Sequence, residues 1–131
     1  MTALPTTQMV EMIFPEQANH YGTLFGGNAL ALMAKAAFVA ATRHARGPVV
    51  MARSERVDFT TPVRVGEMLQ LDAQVVRVGR SSMTVEVRGQ AGATVPREVL
   101  RGRFEMVAVD GVGRPCAVGA MDNGGRDDDD A

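Results

Sequence analysis

Ala29-Leu30-Ala31-Leu32-Met33-Ala34-Lys35-Ala36-Ala37-Phe38-Val39-Ala40-Ala41 is the stretch on which the fold of this 131-residue chain turns. It reads as one helix, with Asn28 as its cap, running to about Arg46. Arg43, His44 and Arg46 suit the negative end of the helix dipole, and Gly47-Pro48 stops the helix. Leu30, Met33, Ala37 and Ala41 form an apolar stripe, with Ala34 and Phe38 beside it. Alanines nevertheless occupy nearly every side. So many small residues let another backbone come close all round, as a sheet curled about a single helix requires.

Around this helix the hydrophobic period is two. Met9 to Phe14 is a short apolar run closed by Pro15, a first strand, and Glu16 to Gly27 is a loop. After Pro48, Val49 to Phe59 is a strand, broken by Thr60-Thr61-Pro62, and Val65-Gly66-Glu67 is a turn. Leu69, Leu71, Ala73 and Val75 alternate with Gln70, Asp72 and Gln74. Gly79-Arg80-Ser81 turns the chain, and Met83, Val85 and Val87 alternate with Thr84, Glu86 and Arg88. Ala91 to Pro96 is a loop. Leu100, Phe104, Met106 and Ala108 alternate with Arg101, Arg103 and Glu105, up to Asp110-Gly111. Such alternation predicts antiparallel strands with one wet face. One strand, one helix and four strands make an α+β domain, a five-stranded sheet around one helix. The expected organisation is a flexible leader at 1–8, the domain at 9–118, and a disordered tail at 119–131 ending in Asp127 to Asp130.

Composition narrows the function classes. Acidic and basic residues nearly cancel, with a formal net charge of -1. That argues against nucleic acid and against an anionic membrane surface as partners. The single cysteine, Cys116, excludes an internal disulfide and fits a reducing compartment. No basic region leads into an apolar core at the start, and the apolar run of the helix is interrupted by Lys35, so the expected location is cytoplasmic. Two histidines, His20 and His44, in no recognised ligand pattern disfavour a metal enzyme.

The chemistry is expected in Asn19-His20-Tyr21-Gly22-Thr23-Leu24-Phe25-Gly26-Gly27. Two glycines before a helix let a ligand approach the backbone. The first N–H groups of the helix have no internal partner and carry the positive end of its dipole. They can polarise a carbonyl and hold an oxyanion, with Gly27 as a donor. The bland reading is a tight loop-to-helix joint.

The whole pattern is more specific. Asn19-x-x-Gly22-Thr23-Leu24-Phe25-Gly26-Gly27, then Leu30, Met33 and Ala36-Ala37, resembles the active-site segment of hotdog-fold acyl-CoA thioesterases of the bacterial short-chain and brain cytosolic type. Val57 to Glu67, the turn Val78-Gly79-Arg80-Ser81-Ser82-Met83, and Phe104 to Pro115 extend the likeness over roughly residues 9 to 118. The resemblance implies a hotdog fold, a homodimer and commonly a hexamer built as a trimer of dimers. It implies hydrolysis of acyl-CoA to fatty acid and CoA, with no metal or redox cofactor and CoA present only in substrate or product. It implies substrate contacts from Gly22, Thr23, Leu24, Phe25 and Gly26, and phosphate contacts from Arg80 with Ser81 and Ser82. For Arg80 the alternative is a β-turn role.

The resemblance also implies a catalytic pair contributed from opposite sides of the subunit interface. The asparagine maps to Asn19. The helix aspartate maps to Ala34, which can neither take a proton nor attack a thioester. Three accounts fit: a substituted variant, a natural member with a relocated base, or a non-hydrolytic acyl-CoA-binding protein. Candidate replacements are His20, otherwise a hydrogen-bonded loop histidine, and Glu55, otherwise an ion-paired surface carboxylate. Under strict alternation Glu55 and Asp58 face opposite sides of their strand. A hotdog dehydratase also places a histidine near the helix start, but it too wants a helix acid and has a different surrounding motif.

Overall fold

The computed structural model describes residues 5–92 and 94–119. Half of the expected leader (1–4) and nearly all of the expected tail (120–131) lie outside the described residues. One helix, α1 (Gly26–Ala45), follows strand β1 (Thr6–Met12) and a short 3-10 turn (Pro15–Gln17). Four strands come after it: β2 (Val49–Phe59), β3 (Met68–Val78), β4 (Ser82–Ala91) and β5 (Arg97–Ala108). The sheet runs β1-β3-β4-β5-β2 with every neighbour antiparallel. The helix touches all five strands. The expected α+β architecture is the observed one.

The alanines of α1 do what their size allows. Ala29, Met33, Ala36, Ala37, Ala40, Ala41 and Ala45 are buried against Leu69, Leu71, Val85, Val87, Phe104 and Met106. Contact is close enough that a Cβ added to Gly102 of β5 would stand 3.0 Å from Met33 Cε and 2.9 Å from Val57 Cγ2. The buried face is rotated from the expected stripe. Leu30 and Phe38 are 38% and 46% exposed, and with Ala34 they form a row at i, i+4 and i+8 that no described residue covers fully.

The helix start differs from expectation. The helix begins at Gly26, so Asn28 lies inside its first turn and is not the cap. The N-cap is Phe25, whose side chain makes no capping bond. Asn28 instead donates from Nδ2 to the Gln17 carbonyl at 3.0 Å, tying the helix to the preceding loop. At the other end the helix stops at Ala45, within a residue of the expected end, and Arg46 takes the left-handed position at φ 59°. Its N–H reaches the Thr42 carbonyl at 2.8 Å, which satisfies a last-turn acceptor.

Strand β1 runs earlier than the apolar run Met9 to Phe14 suggested. Thr7 is buried and pairs with Ala73 of β3, so the partner strand extends the ladder into polar sequence. Thr84 stands on the outer face as expected, opposite Glu105, yet it is buried there, and its hydroxyl donates to the Glu105 carboxylate at 2.6 Å. Gly89 of β4 leaves no room for a side chain, since a Cβ there would sit 2.5 Å from Leu100 Cδ1 and 2.6 Å from its Cγ. Gly89→Ala is therefore expected to cost about 1–3 kcal/mol by overpacking. A denaturant midpoint unchanged from wild type would contradict this packing.

Candidate active site

The loop before α1 is built around one side chain. Asn19 Oδ1 accepts from the backbone N–H of Tyr21 at 2.9 Å and of Thr23 at 3.2 Å. Asn19 Nδ2 donates to the Thr23 hydroxyl at 3.0 Å. Gly22 turns the loop at φ +82°, where a side chain would be strained. The loop is then pinned to the segment before β3. Leu24 N–H donates to the Val63 carbonyl at 2.7 Å, and Val65 N–H to the Gly22 carbonyl at 3.1 Å. Asn19 thus shapes the loop, while its polar atoms are engaged inside it.

A bidentate ion pair holds that segment in turn. Arg97 Nη1 and Nη2 each lie 3.1 Å from a Glu67 carboxylate oxygen, and they also reach the carbonyls of Ala91 and Pro62. Glu67 Oε1 accepts from Arg64 N–H at 2.8 Å. The Arg97 hydrogen bond, followed by the Arg64 N–H, holds the Glu67 carboxyl below its ordinary value near 4.5. A depressed carboxylate stabilises the fold at neutral pH, and that contribution is lost as pH falls through the folded-state value. Glu67→Gln should therefore melt below wild type at pH 7, with the two converging as pH falls from the ordinary value near 4.5 through the lowered folded-state value. A constant gap across that range would show that the pair carries no such linkage.

The start of α1 divides two concavities. A cavity of about 230 Å³ is lined by Thr23, Leu24, Gly26, Phe59, Thr60 and Thr61, with Ala29, Val63 and Leu100 beneath. On the other side an open groove of about 300 Å³ runs between α1 and the edge strand β2. Gly27, Leu30, Ala31, Ala34, Met51, Ser54 and Phe104 line it. Among the described residues, the N–H groups of Gly26, Gly27 and Asn28 carry no hydrogen bond. An uncapped helix start therefore offers donors and the positive end of the dipole to an approaching acyl oxygen. Gly27 and Ala34 are two helical turns apart on one face, roughly 10 Å along the axis, so they border the same groove.

The other sequence candidates fall elsewhere. His20 and Tyr21 are exposed, with ring centroids 4.0 Å apart, and neither lines the two concavities. Arg80 and Ser81 lie in the β3–β4 turn, and Ser82 opens β4, at the opposite end of the sheet. The 11 residues of β3 separate that turn from the helix start by roughly 30 Å. Within one chain the turn serves the fold: Ala108 N–H donates to Ser81 O and Val118 N–H to Arg80 O. Glu55 pairs with Arg53 at 3.2 Å and Asp58 with Arg56 at 3.1 Å. Register shifts between Met51 and Arg53, and between Ser54 and Val57, break the strict alternation. Arg53 stands opposite Glu105 and Asp58 opposite Arg101, so Glu55 and Asp58 both belong to the sheet face turned away from the helix. The expectation that they face opposite sides is thereby corrected. Sequence reading missed Met51, Ser54 and the role of Phe104 in the groove, because a bulge gives no signature in a strand of mixed residues.

Residues 21–95 match the thioesterase superfamily. The chain is 37% identical over 120 residues to an acyl-CoA thioester hydrolase of Zymomonas mobilis, covering 89% of this chain and 79% of that one. The chain belongs to the hotdog acyl-CoA thioesterase family. Its fold also superposes, with a TM-score of 0.83 and 32% identity, on an acyl-CoA hydrolase of Staphylococcus aureus solved with butyryl-CoA and CoA; the match covers 86% of this chain and 71% of that one. Structures of that hydrolase include variants in which an asparagine, a threonine or an aspartate is replaced by alanine. A hexameric acyl-CoA thioesterase matches with a TM-score of 0.83 and 35% identity over 86% of this chain and 74% of that one. Among the described residues, no helix of this thioesterase-family chain is long and apolar enough to cross a membrane.

Proposed function

We propose that this chain engages acyl-CoA thioesters in the groove between α1 and β2. The thioester carbonyl lies against the uncapped helix start, and hydrolysis in the chain as it stands is slow for want of a carboxylate at Ala34. The observation that carries this reading is the convergence of Gly27 and Ala34 on one groove with no ionisable side chain in its lining. Donors that stabilise an oxyanion are in place, while no lining group can take a proton from water. The variants of the Staphylococcus aureus hydrolase support the mapping. Its altered asparagine and aspartate are fifteen residues apart, and its threonine follows the aspartate by seventeen. The same intervals in this chain join Asn19, Ala34 and Met51. Two of three polar groups are then apolar here, and both line the groove.

The proposal includes a second copy of the chain. Strand β2 is an edge strand exposed along most of its length, and no described residue fully covers the row Leu30, Ala34 and Phe38 beside it. Pairing of two β2 edges covers both and brings the partner's loop towards the groove. A hexamer of three such pairs gives the Arg80 turn a route to a neighbour's CoA phosphates. CoA enters only as part of substrate or product, with no resident metal or cofactor, in a protein of the cytoplasm.

Binding of CoA and acyl-CoA, measured by calorimetry, and release of CoA thiol over a range of acyl lengths test the reading together. Saturable binding with slow release is expected. Absence of binding at millimolar acyl-CoA would remove the reading. Rapid release by the unaltered chain would place the base elsewhere, and His20 and Glu55 would be replaced next.

A further inference from the structure

We infer that Ser54 is the side chain that hydrogen-bonds the substrate in this groove, with its hydroxyl directed at the thioester carbonyl; the assignment rests on the acyl-CoA reading above. Of the groove residues Gly27, Leu30, Ala31, Ala34, Met51, Ser54 and Phe104, Ser54 alone has a side chain that can donate a strong hydrogen bond. Its hydroxyl makes none with any described residue and is free for a ligand.

Strand β2 has been bent to put it there. Met51, Ser54, Val57 and Phe59 stand opposite Met106, Phe104, Gly102 and Leu100, the buried residues of β5 that lie under the helix. Unbroken alternation from Met51 would turn Arg53 and Glu55 towards the helix and Ser54 away. The extra residue between Met51 and Arg53 reverses that parity. It removes a charged pair from the groove wall and installs one neutral hydroxyl beside Ala34. A neutral donor suits a carbonyl that gains negative charge, and it costs little to desolvate beside an apolar acyl chain. With the N–H of Gly27 it supplies a second donor for the same oxygen.

The test compares butyryl-CoA with S-butyl-CoA, the thioether that lacks only the carbonyl oxygen. The unaltered chain should bind the thioester about ten- to a hundredfold more tightly, the range of two net hydrogen bonds. Ser54→Ala should lose about three- to tenfold of that preference, the share of one net hydrogen bond, while binding the thioether as before, and Ser54→Thr should keep it. A purely structural role would weaken both ligands alike. An unchanged preference in Ser54→Ala, or none in the unaltered chain, overturns the assignment while leaving acyl-CoA binding intact. Failure of both ligands to bind overturns the acyl-CoA reading and the Ser54 assignment with it.

Discussion

Ala34→Asp is expected to raise acyl-CoA hydrolysis by about 10²–10⁴-fold, the span that a positioned general base contributes. Position 34 is half-buried on α1 and faces the groove that Gly27 borders. An aspartate there can hold a water against a carbonyl that the helix start already polarises. The groove lining is otherwise apolar, so partial desolvation should push the new carboxyl above its ordinary value. Two signs follow. Hydrolysis should rise with pH through that raised value, because the ionised form is the base. Stability should fall over the same interval, because a carboxyl raised on folding favours the protonated folded state and penalises the ionised one. Thiol release and thermal melting, followed across pH 4 to 8, read both. Equal rates in the variant and the unaltered chain would sink the assignment of position 34 as the vacant base.

Phe104→Ala is expected to cost about 3–5 kcal/mol, the largest loss of stability from a single truncation in this fold. Phe104 is fully buried on β5, opposite Ser54 of β2 and Val85 of β4. The sheet on both sides of it is continuous, so the space left behind can collapse only in part. The melting temperature should drop on the order of 10 °C or more. Phe104 also floors the groove, so a chain that remains folded in the cold should accept bulkier acyl groups. A drop of only a degree or two would mean that neighbouring side chains repack freely over the site.

Much of this architecture was legible in residue order. The period-two runs gave β2 its observed bounds, Val49–Phe59, and gave the turns around Gly66 and Gly79. Alanines on nearly every side of α1 announced close packing under its own sheet; the contact at Gly102 bears that out on the buried face, while no described residue fully covers the row Leu30, Ala34 and Phe38. These features are local: a turn needs a permissive residue, and a wrapped helix needs small ones. The N-cap was misplaced because Asn28 resembles a cap in composition, whereas the loop engages its side chain at Gln17. The start of β1 was misplaced because its polar residues are held by pairing with β3, which only the partner strand specifies.

The site divides along the same line. The sequence by itself determined the motif from Asn19 to Gly27, the helix it feeds, and the alanine at position 34. Only the tertiary structure decided that Gly27 and Ala34 share a groove, that the Asn19 amide is engaged in shaping its own loop, and that Arg80 stands at the far end of the sheet. Only the tertiary structure exchanged Glu55 for Ser54 on the groove wall. The physical reason is parity: one extra residue in an edge strand reverses which side chains face the helix, and nothing in the local preferences of Met51 to Glu55 records it.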